Sequence, residues 1–581
     1  MLLSAAASSA TACCCRASFC GSSLANAQAL TVRRKGAGFS THLTSACSAG
    51  FAAGPAVRLN SVGFPPDAVK RATIAAPCDE FRVVRVSDGA VVLTGRAGAP
   101  TATAGTDTGE TVQVADFRAL TAPGRYQLEV PGVGRSAPFT IATDVWNPPF
   151  YLVTRALYLW RCGTAVRAEW NGITYAHGPC HLEDGWLDFV GGGHGRRPGT
   201  GGWHDAGDYN KYVVNAGFAV GMLFQALEQF PDRVTDLKLD LPESGNGTPD
   251  LLNEIRWELE WLLTMQQDDG RVYHKLSAVN FSYWGPPDRD PSPRSYCPWS
   301  TTATADFVAV FAAAARHFRR YDARFADRCL AAALKSGAYL TAHPQDVPAD
   351  QQQFHTGTYA VSDASHRLWA AAELWETTGE PRYLREFEHR AAGVDFVVLG
   401  PTWGDATDLA LGTYLLSHHP ARRNRSLVAR LQASLFSQAA GIIATADHHG
   451  YGRPLGGDRP TWFWGGNGSV VAQTYLLHVA DRLRPDPRYR QTALDALAFL
   501  FGRNFDGRSY VTGLGANPPE HPHDRRGEPA WPGCLVGGGW PDGKSWRDEQ
   551  RDARLNEIAI NWNAALIYAL AAFVEPAEHP R

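Results

Sequence analysis

In the first quarter of the chain, hydrophobic and polar side chains alternate in short runs, the period of a half-buried β-strand. Turn-forming triplets, Ser-Asp-Gly at 87–89 and Ala-Pro-Gly at 122–124, separate these runs. The clearest runs are residues 57–64, 81–86 and 126–130. Short strands at this spacing predict a small all-β, immunoglobulin-like sandwich over residues 55–143.

After a Trp-Asn-Pro-Pro hinge at 146–149, the hydrophobic period becomes that of amphipathic helices. About eleven or twelve such stretches precede Pro576, joined by long loops rich in Gly, Pro and Trp, and loops of that length in a compact domain are usually functional. Examples are residues 306–319, 324–340, 364–378 and 469–482. The pattern predicts a mainly α domain over 146–577, an α/α barrel with a cleft.

Composition narrows the function classes. Charged residues make up 19% of the 581 residues and the formal net charge is -3, so no basic excess exists to hold nucleic acid. We find no run of the ~20 apolar residues that a membrane span needs. The 18 Trp suit either a large core or a groove that stacks against sugar rings.

Residues 1–54 are rich in Ala, Ser and Cys and contain no acidic residue, which is typical of a targeting or disordered segment. The first twelve residues are only weakly apolar, so this is a poor signal peptide, and a transit peptide is an alternative. Five of the 11 Cys lie in this segment, and the six that remain are too few for a disulfide scaffold.

Two aspartates three residues apart, Asp205 and Asp208, lie in Gly-Gly-Trp-His-Asp-Ala-Gly-Asp-Tyr-Asn-Lys at 201–211. One turn of backbone would bring both carboxylates to one face. One carboxylate could then hold a water molecule while the other removes its proton. A helix cap or a calcium loop would explain the same spacing.

A single acid, Glu557, precedes the apolar final helix. Aliphatic surroundings raise a carboxyl pKa towards the range of a general acid, although a helix start also favours an acid through its dipole. Upstream, the Pro-rich loop 517–526 presents His523 and Arg525, donors that suit hydroxyl groups or a carboxylate. An ordinary solvated basic loop is the alternative for that segment.

Two thiols and two imidazoles from separate segments offer a ligand set for a closed, tetrahedral and therefore structural zinc. They are Cys162, Cys180, His181 and His204. The spacing is not that of a zinc finger, so plain buried thiols are an alternative, and His194 could be the fourth ligand. Oxygen-bearing side chains on the loop 243–250 (Glu243, Asn246 and Asp250) are similar to a calcium site, but a helix cap ahead of Leu251 explains much of that loop.

Together, the order and the residues of these segments resemble glycoside hydrolase family 9 from about residue 55 to 575. Residues 201–213 resemble the family's base motif, and residues 556–566 resemble its acid motif. Shorter matches follow in the family's order at 300–306, 501–504, 509–513 and 521–525.

The resemblance implies an (α/α)6 barrel with an open cleft, preceded by the immunoglobulin-like module of one subgroup of these cellulases. It implies inverting hydrolysis of internal β-1,4-glucosidic bonds in cellulose or related β-glucans. Asp208 would be the general base, Asp205 would orient the water, and Glu557 would be the general acid. His523 and Arg525 would contact substrate near the cleavage point.

The resemblance also implies that the two thiols and two imidazoles hold a structural zinc, and that the loop 243–250 holds calcium. No organic cofactor is expected. We further predict that Tyr209 and Trp464 bind substrate, and that the protein is a secreted monomer that binds neither nucleic acid nor membranes.

One departure from the family lies just before the acid motif, where Ala553 replaces an expected Tyr and alters one wall of the cleft. Two alternative functions remain. The chain could be an exo-acting β-glucosidase or β-glucosaminidase, depending on how the loops 283–299 and 452–467 lie. It could also be a non-catalytic glucan-binding protein, although intact Asp205, Asp208 and Glu557 argue against that.

Overall fold

The computed structural model describes residues 54–103, 107–456 and 461–576, so nearly all of the predicted targeting segment 1–54 lies outside it. Ten short strands come first in the described part. They are β1 (Val57–Leu59), β2 (Gly63–Phe64), β3 (Arg71–Ile74), β4 (Glu80–Arg85), β5 (Val91–Arg96), β6 (Thr101–Ala102), β7 (Thr111–Asp116), β8 (Gly124–Val130), β9 (Gly134–Arg135) and β10 (Phe139–Ile141).

These strands form two sheets around one apolar core. The smaller sheet has the order β1-β3-β7-β6, and the larger has the order β2-β10-β8-β4-β5 with β9 paired to β8. Leu59 and Ile74 from the smaller sheet share the core with Phe81, Leu128 and Ile141 from the larger. The alternating pattern of the sequence therefore places one face of each sheet inside this module.

The predicted run 57–64 is two strands in different sheets. The chain bends at Asn60, whose amide donates to the Gly63 carbonyl and accepts from Val62 N at 3.1 Å. β2 then pairs in parallel with β10, whereas β1 pairs antiparallel with β3. Side-chain capping of the backbone thus ends the first strand before its alternation of polar and apolar residues ends.

The helices follow, with a few short strands between them. The helices are α1 (Asn147–Leu159), α2 (Val213–Gln229), α3 (Pro231–Val234), α4 (Asp250–Met265), α5 (Thr301–Phe318), α6 (Ala323–Ala342), α7 (Ala364–Thr378), α8 (Pro381–Arg390), α9 (Thr407–Leu416), α10 (Arg425–His448), α11 (Gly466–Ala472), α12 (Thr474–Leu483), α13 (Pro487–Leu500), α14 (Ala553–Asn556) and α15 (Ile560–Ala571). The strands are β11 (Val166–Trp170), β12 (Ile173–His177), β13 (Lys211–Tyr212), β14 (Lys275–Ser277) and β15 (Ser295–Tyr296).

Six helices pack in succession around the core: α2, α5, α7, α9 and α12, and then α15, which returns to α2. α2 is buried along almost its whole length, as expected for a helix surrounded by others. α1, α4, α6, α8, α10 and α13 pack on the outside of these six. α6 is typical of this outer set, because its buried residues recur every three or four positions on one face.

The predicted helical stretches agree closely with α5, α6, α7 and the region of α11 and α12. The main difference is at α5, which begins at Thr301 rather than at Asp306. Ser300 sets this start, because its hydroxyl accepts from Ala303 N at 3.0 Å and caps the first turn.

Among the described residues, one helix, α10, has the length and composition needed to cross a membrane. Its buried residues, including Leu427, Leu431 and Leu435, face α9, α12 and α13. Arg430 on the same helix donates to the carbonyls of Ala391 and Val394. These contacts are those of an outer helix of this domain.

Candidate active site

Three loop segments that are far apart in sequence are joined by main-chain hydrogen bonds at the end of the domain where α2 and α15 begin. Ile560 N donates to the Asp205 carbonyl at 2.9 Å, and His523 N donates to the Asn556 carbonyl at 2.7 Å. Gly207 lies so close to the third segment that a Cβ there would be 2.2 Å from the His523 carbonyl oxygen. The predicted base and acid motifs are therefore parts of one surface.

Asp205 is buried, and both of its carboxylate oxygens accept hydrogen bonds. Asn215 donates to Oδ1 at 2.7 Å, and the Tyr359 hydroxyl donates to Oδ2 at 2.6 Å. Burial, reinforced by the charge of Asp208, raises the pKa of Asp205 to about 8. Asp205 therefore holds its proton at pH values where an ordinary aspartate is ionised.

Asp208 is also buried, but only one of its oxygens has protein donors. Oδ2 accepts from Asn210 Nδ2 at 2.5 Å and from the Tyr212 hydroxyl at 3.0 Å. Within the described ranges, Oδ1 makes no hydrogen bond, and Asp208 lines the cleft. One carboxylate oxygen is thus free to take a proton from a molecule in the cleft.

Glu557 lines the same cleft and is half-buried. Its Oε2 accepts from the Trp464 indole nitrogen at 3.0 Å. Burial, followed by the charges of Asp208 and Asp205, raises the pKa of Glu557 well above its ordinary value, and the indole donor only partly opposes this. Glu557 is therefore a carboxylic acid that keeps its proton while facing a cleft.

The cleft is a cavity of about 650 Å³ whose lining includes several aromatic side chains. Trp464 and Phe281 are about half exposed within it, at 49% and 48%. A second cavity of about 280 Å³ shares Trp403, Trp464 and Trp562 with the first. The aromatic walls thus continue well beyond the carboxyl groups, as a polymer-binding groove requires.

His523 and Arg525 both line the cleft, as predicted. His523 Nδ1 bonds the Gln550 carbonyl at 2.7 Å, and Arg525 donates to the carbonyls of Gly207 at 2.8 Å and Tyr283 at 3.1 Å. These bonds fix both side chains from behind and hold their remaining polar atoms at the cleft wall.

Tyr209, which was predicted to bind substrate, is not among the residues that line the cleft. It is 4% exposed, its hydroxyl donates to the Gly285 carbonyl at 2.6 Å, and its ring packs 4.8 Å from that of His204. Tyr212, three residues further along, lines the cleft instead. By contrast, Ala553 lies in the cleft wall, where its methyl group leaves the wall open.

The predicted zinc ligands form the single group of candidate metal ligands among the described residues, with ligand atoms within 4.8 Å of one another. We call Cys162, Cys180, His181 and His204 the thiol–imidazole cluster. Cys162 Sγ lies 3.9 Å from His181 Nδ1, and Cys180 Sγ lies 3.7 Å from His204 Nε2. Ligands around a tetrahedral zinc are about 3.3–3.8 Å apart for normal bond lengths, so the group fits that ion.

The surroundings of the cluster also suit a metal. Burial lowers the pKa of His204 to about 3, so its imidazole is neutral and can act as a ligand. His181 Nε2 lies 3.3 Å from Asp290, the carboxylate partner that commonly orients a ligating histidine. Arg294 donates to Cys162 Sγ at 3.1 Å, which balances the charge of a thiolate.

The side-chain oxygen atoms of the predicted calcium loop form hydrogen bonds with other protein groups. Glu243 makes two bonds to Arg161, at 3.0 and 3.1 Å. Asp250 Oδ2 accepts from Leu239 N at 2.7 Å and from Ser244 at 2.6 Å, and Asn246 bonds to Asn253. Calcium binding here stays a prediction.

Two family models match the chain. Residues 150–570 match the model described as glycosyl hydrolase family 9, and residues 52–135 match the cellulase N-terminal ig-like domain. The chain belongs to glycosyl hydrolase family 9. The predicted family and the N-terminal β module ahead of its helical domain are thereby confirmed.

Named relatives of this family 9 chain agree with the assignment. Endoglucanase D of Acetivibrio thermocellus is 51% identical over 528 residues, which cover 89% of this chain and 83% of that protein. A xyloglucan-specific endo-beta-1,4-glucanase of Bacteroides ovatus is 32% identical over 90% of this chain and 94% of its own. The crystal structure of a metagenome-derived family 9 endoglucanase superposes with a TM-score of 0.83 at 35% identity, covering 89% of this chain and 98% of that one.

Sequence reasoning missed several residues of the family 9 site. Asn210, Tyr212 and Asn215 lie within or just after the predicted base motif, and donors so close to two aspartates could have been sought. Tyr359 and Trp403 come from distant segments that meet the site only through helix packing. No local pattern marks residues of that kind.

Proposed function

We propose that this chain is an inverting endo-β-1,4-glucanase that acts on cellulose or related β-glucans. One observation carries the proposal: Glu557, whose pKa is raised, and Asp208, which has a free oxygen, face one cleft with aromatic walls. Membership of family 9 and 51% identity to an endoglucanase support it. A catalytically dead glucan-binding protein would have no need to keep this pair intact.

The water molecule is activated by the aspartate pair. Because Asp205 retains a proton up to about pH 8, the pair carries a single negative charge at neutral pH, and we assign that charge to Asp208. Asp205 orients the water, and Asp208 removes its proton as the water attacks the anomeric carbon.

Glu557 protonates the departing glycosidic oxygen from the other side of the sugar. Inverting enzymes separate the two carboxyl groups by about 6.5–9.5 Å so that a water fits between the base and the sugar. Cleavage of a β-bond then releases an α-anomer. Activity requires ionised Asp208 and protonated Glu557, so the pH profile should be bell-shaped, with its basic limb above the ordinary pKa of glutamate.

The polymer lies along the aromatic walls. Phe281 and Trp464 offer exposed ring faces on which pyranose rings can stack, and Trp403 and Trp562 extend these faces into the second cavity. His523 and Arg525 contribute donors near the cleavage point.

We also propose that the thiol–imidazole cluster holds a structural zinc. Two thiolates and two imidazoles would supply all four ligands of such an ion, which would then contribute stability rather than catalytic chemistry. His204 directly precedes Asp205, so the ion would hold the base loop in place.

The finer architecture and setting are likewise proposals. The closed succession of α2, α5, α7, α9, α12 and α15, with six helices outside it, supports an (α/α)6 barrel over 146–577 behind a sandwich over 55–143. We propose that the protein is secreted, because its substrate is insoluble or of high molecular weight. We propose that it acts as a monomer, because the described cleft is lined by one chain. Its net charge of -3 gives no reason to expect a nucleic-acid partner.

The test is product analysis by NMR and chromatography on carboxymethylcellulose and cello-oligosaccharides. We expect mixed oligomers released as α-anomers, and a loss of roughly 10²–10⁴-fold in kcat for Glu557→Gln and for Asp208→Asn. Both replacements preserve side-chain volume, so we expect both variants to fold, and circular dichroism would verify this.

Other product patterns would overturn parts of the proposal. β-Anomers would exclude inversion. Glucose or glucosamine as the sole product would indicate the exo-acting alternative. Faster cleavage of xyloglucan than of unbranched glucan would move the substrate assignment towards that of the Bacteroides ovatus relative.

A further inference from the structure

We propose that Asp107, in the N-terminal β module, is a positioning residue for the acid Glu557. Asp107 lies outside the cleft and touches no substrate. It acts by holding residues 537–543 at Gly543 and, through the packing of Trp462 near Gly543, residues 461–464. These two segments of the helical domain between them contact both the side chain and the main chain of Glu557. The inference rests on the proposed function of Glu557.

Asp107 is nearly buried, at 9% exposure, and makes two contacts with the helical domain. Its carbonyl accepts from Gly543 N at 3.0 Å, and its Oδ2 lies 2.7 Å from His449 Nε2. His449 Nδ1 accepts from Tyr451 N at 3.2 Å, so Nε2 carries a hydrogen and donates to Asp107.

Asp107 and Trp462 both pack close to Gly543. A Cβ at Gly543 would lie 2.8 Å from Asp107 Oδ1 and 2.7 Å from Trp462 Cζ2. Trp462 also stacks against the buried guanidinium of Arg453, which lies 3.8 Å from the ring and donates to the Thr461 carbonyl at 2.7 Å. Trp462 is therefore held between the domain and the loop that Asp107 fixes.

Both segments continue directly to Glu557. Two residues beyond Trp462, the Trp464 indole donates to Glu557 Oε2 at 3.0 Å. A few residues before Gly543, Gly537 N donates to the Glu557 carbonyl at 2.9 Å. A shift of either segment would move the acid relative to the glycosidic oxygen, and small displacements of this kind are costly in catalysis.

One contact between the module and the helical domain lies away from this path. Arg71 pairs with Asp495 on α13 at 3.2 Å, and neither residue touches the cleft or the two segments. Arg71→Met thus weakens the junction without disturbing Glu557, and it serves as the matched control.

The test is a double-mutant cycle on kcat for cello-oligosaccharide cleavage, with Asp107→Ala, Trp464→Phe and the double variant. If Asp107 acts through the Trp464 segment, we expect Asp107→Ala to lower kcat by roughly 3- to 10-fold and the double variant to be no worse than Trp464→Phe. The basic limb of the pH profile should move to higher pH in both single variants, because the indole donor lowers the pKa of Glu557. Asp107→Asn still accepts from His449 and should restore kcat to within about twofold.

A purely structural role predicts a different result. Asp107→Ala would then lower the melting temperature, as Arg71→Met does, but leave the pH profile unchanged and combine additively with Trp464→Phe, which would overturn the proposal. If Asp107→Ala does not fold, His449→Ala removes the same side-chain contact from the helical domain's side. If the unmutated protein cleaves glucan and Glu557→Gln abolishes this activity, the proposed function stands whatever the Asp107 variants show. If the unmutated protein is inactive, the proposed function itself is refuted.

Discussion

The three carboxyl groups of the cleft differ in the hydrogen-bond donors around them. Asp208 has two donors on one oxygen, and Asp205 has one donor on each. Glu557 has a single indole donor and sits beside the negative charge of the aspartates. Burial and neighbouring carboxylates raise the pKa of Asp205 and of Glu557, and these donors only partly oppose that rise, so both groups can hold a proton.

Asp205→Asn should lower activity and raise stability. Burial and Asp208 raise the pKa of Asp205 to about 8, so the folded protein binds this proton more tightly than the unfolded chain, in which an aspartate has a pKa of about 3.9. The stability from that proton is complete below about pH 4 and is lost as the pH rises towards 8. Asparagine stays neutral throughout, so its advantage in Tm should grow from near zero at pH 4 to roughly 1–3 °C at pH 8.

The measurement is differential scanning fluorimetry across this pH range. The Asn215 amide can rotate to accept from the new side chain, because its Oδ1 has no partner in the part of the chain that the structure describes. Exposed Asp268→Asn is the control and should give a difference that does not vary with pH. An equal advantage for Asp205→Asn at pH 4 and pH 8 would contradict the assignment.

At the scale of elements, the base loop is fastened at both of its ends. Cys162 N donates to the Gly202 carbonyl at 2.7 Å, and His204 N donates to the Trp160 carbonyl at 2.8 Å, which ties the loop to the end of α1. The bond from Ile560 N to the Asp205 carbonyl ties it to the start of α15. Main-chain hydrogen bonds therefore hold the loop in place although it is not helical.

Removal of zinc should lower stability and activity together. His204 belongs to the thiol–imidazole cluster and directly precedes Asp205, so the proposed zinc would fix the position of Asp205. A strong chelator should therefore decrease both Tm and kcat, and added zinc should restore both. Metal content by mass spectrometry should fall from one equivalent. Cys329→Ser, at a buried thiol outside the cluster, is the control and should retain its zinc. Loss of kcat with an unchanged Tm would mean that the metal takes part in catalysis.

Much at this scale could be predicted from the sequence, for physical reasons. A hydrophobic period records which face is buried, so the limits of α6 and α7 are nearly those expected. The break at Asn60 and the early start of α5 at Ser300 could not be predicted from that period, because each depends on a side-chain hydrogen bond to the backbone. The burial of Tyr209 could not be predicted either, because its position in the motif does not show that its ring packs against His204.

At the scale of the whole molecule, the site is a groove assembled from distant segments. Asp208, Tyr359, Trp464 and Glu557 share one cavity because the inner helices bring their loops to the same end of the domain. The sequence could predict the two motifs that carry recurrent chemistry. It could not predict Tyr359 or Trp403, because only the packing of the helices determines what lies opposite the aspartates.

A groove with aromatic walls extending beyond the carboxyl groups should bind the middle of a glucan chain. We expect the viscosity of carboxymethylcellulose to fall steeply while few reducing ends appear, since cuts at internal bonds shorten the polymer most effectively. Viscometry and a reducing-sugar assay on the same samples would measure this, with Glu557→Gln as the blank. Reducing ends that accumulate while the viscosity stays high would contradict internal cleavage.

The main-chain hydrogen bond between the base loop and the start of α15 has a consequence for biosynthesis. A ribosome releases the base loop long before α15, which must still pack against α1 and α2 and pair with Asp205. The growing chain cannot assemble a complete catalytic surface until α15 emerges, because the base loop is bonded to Ile560. Hydrolytic competence therefore arrives only after α15 has emerged and packed, and a chain released before Ile560 should be inert rather than partly active.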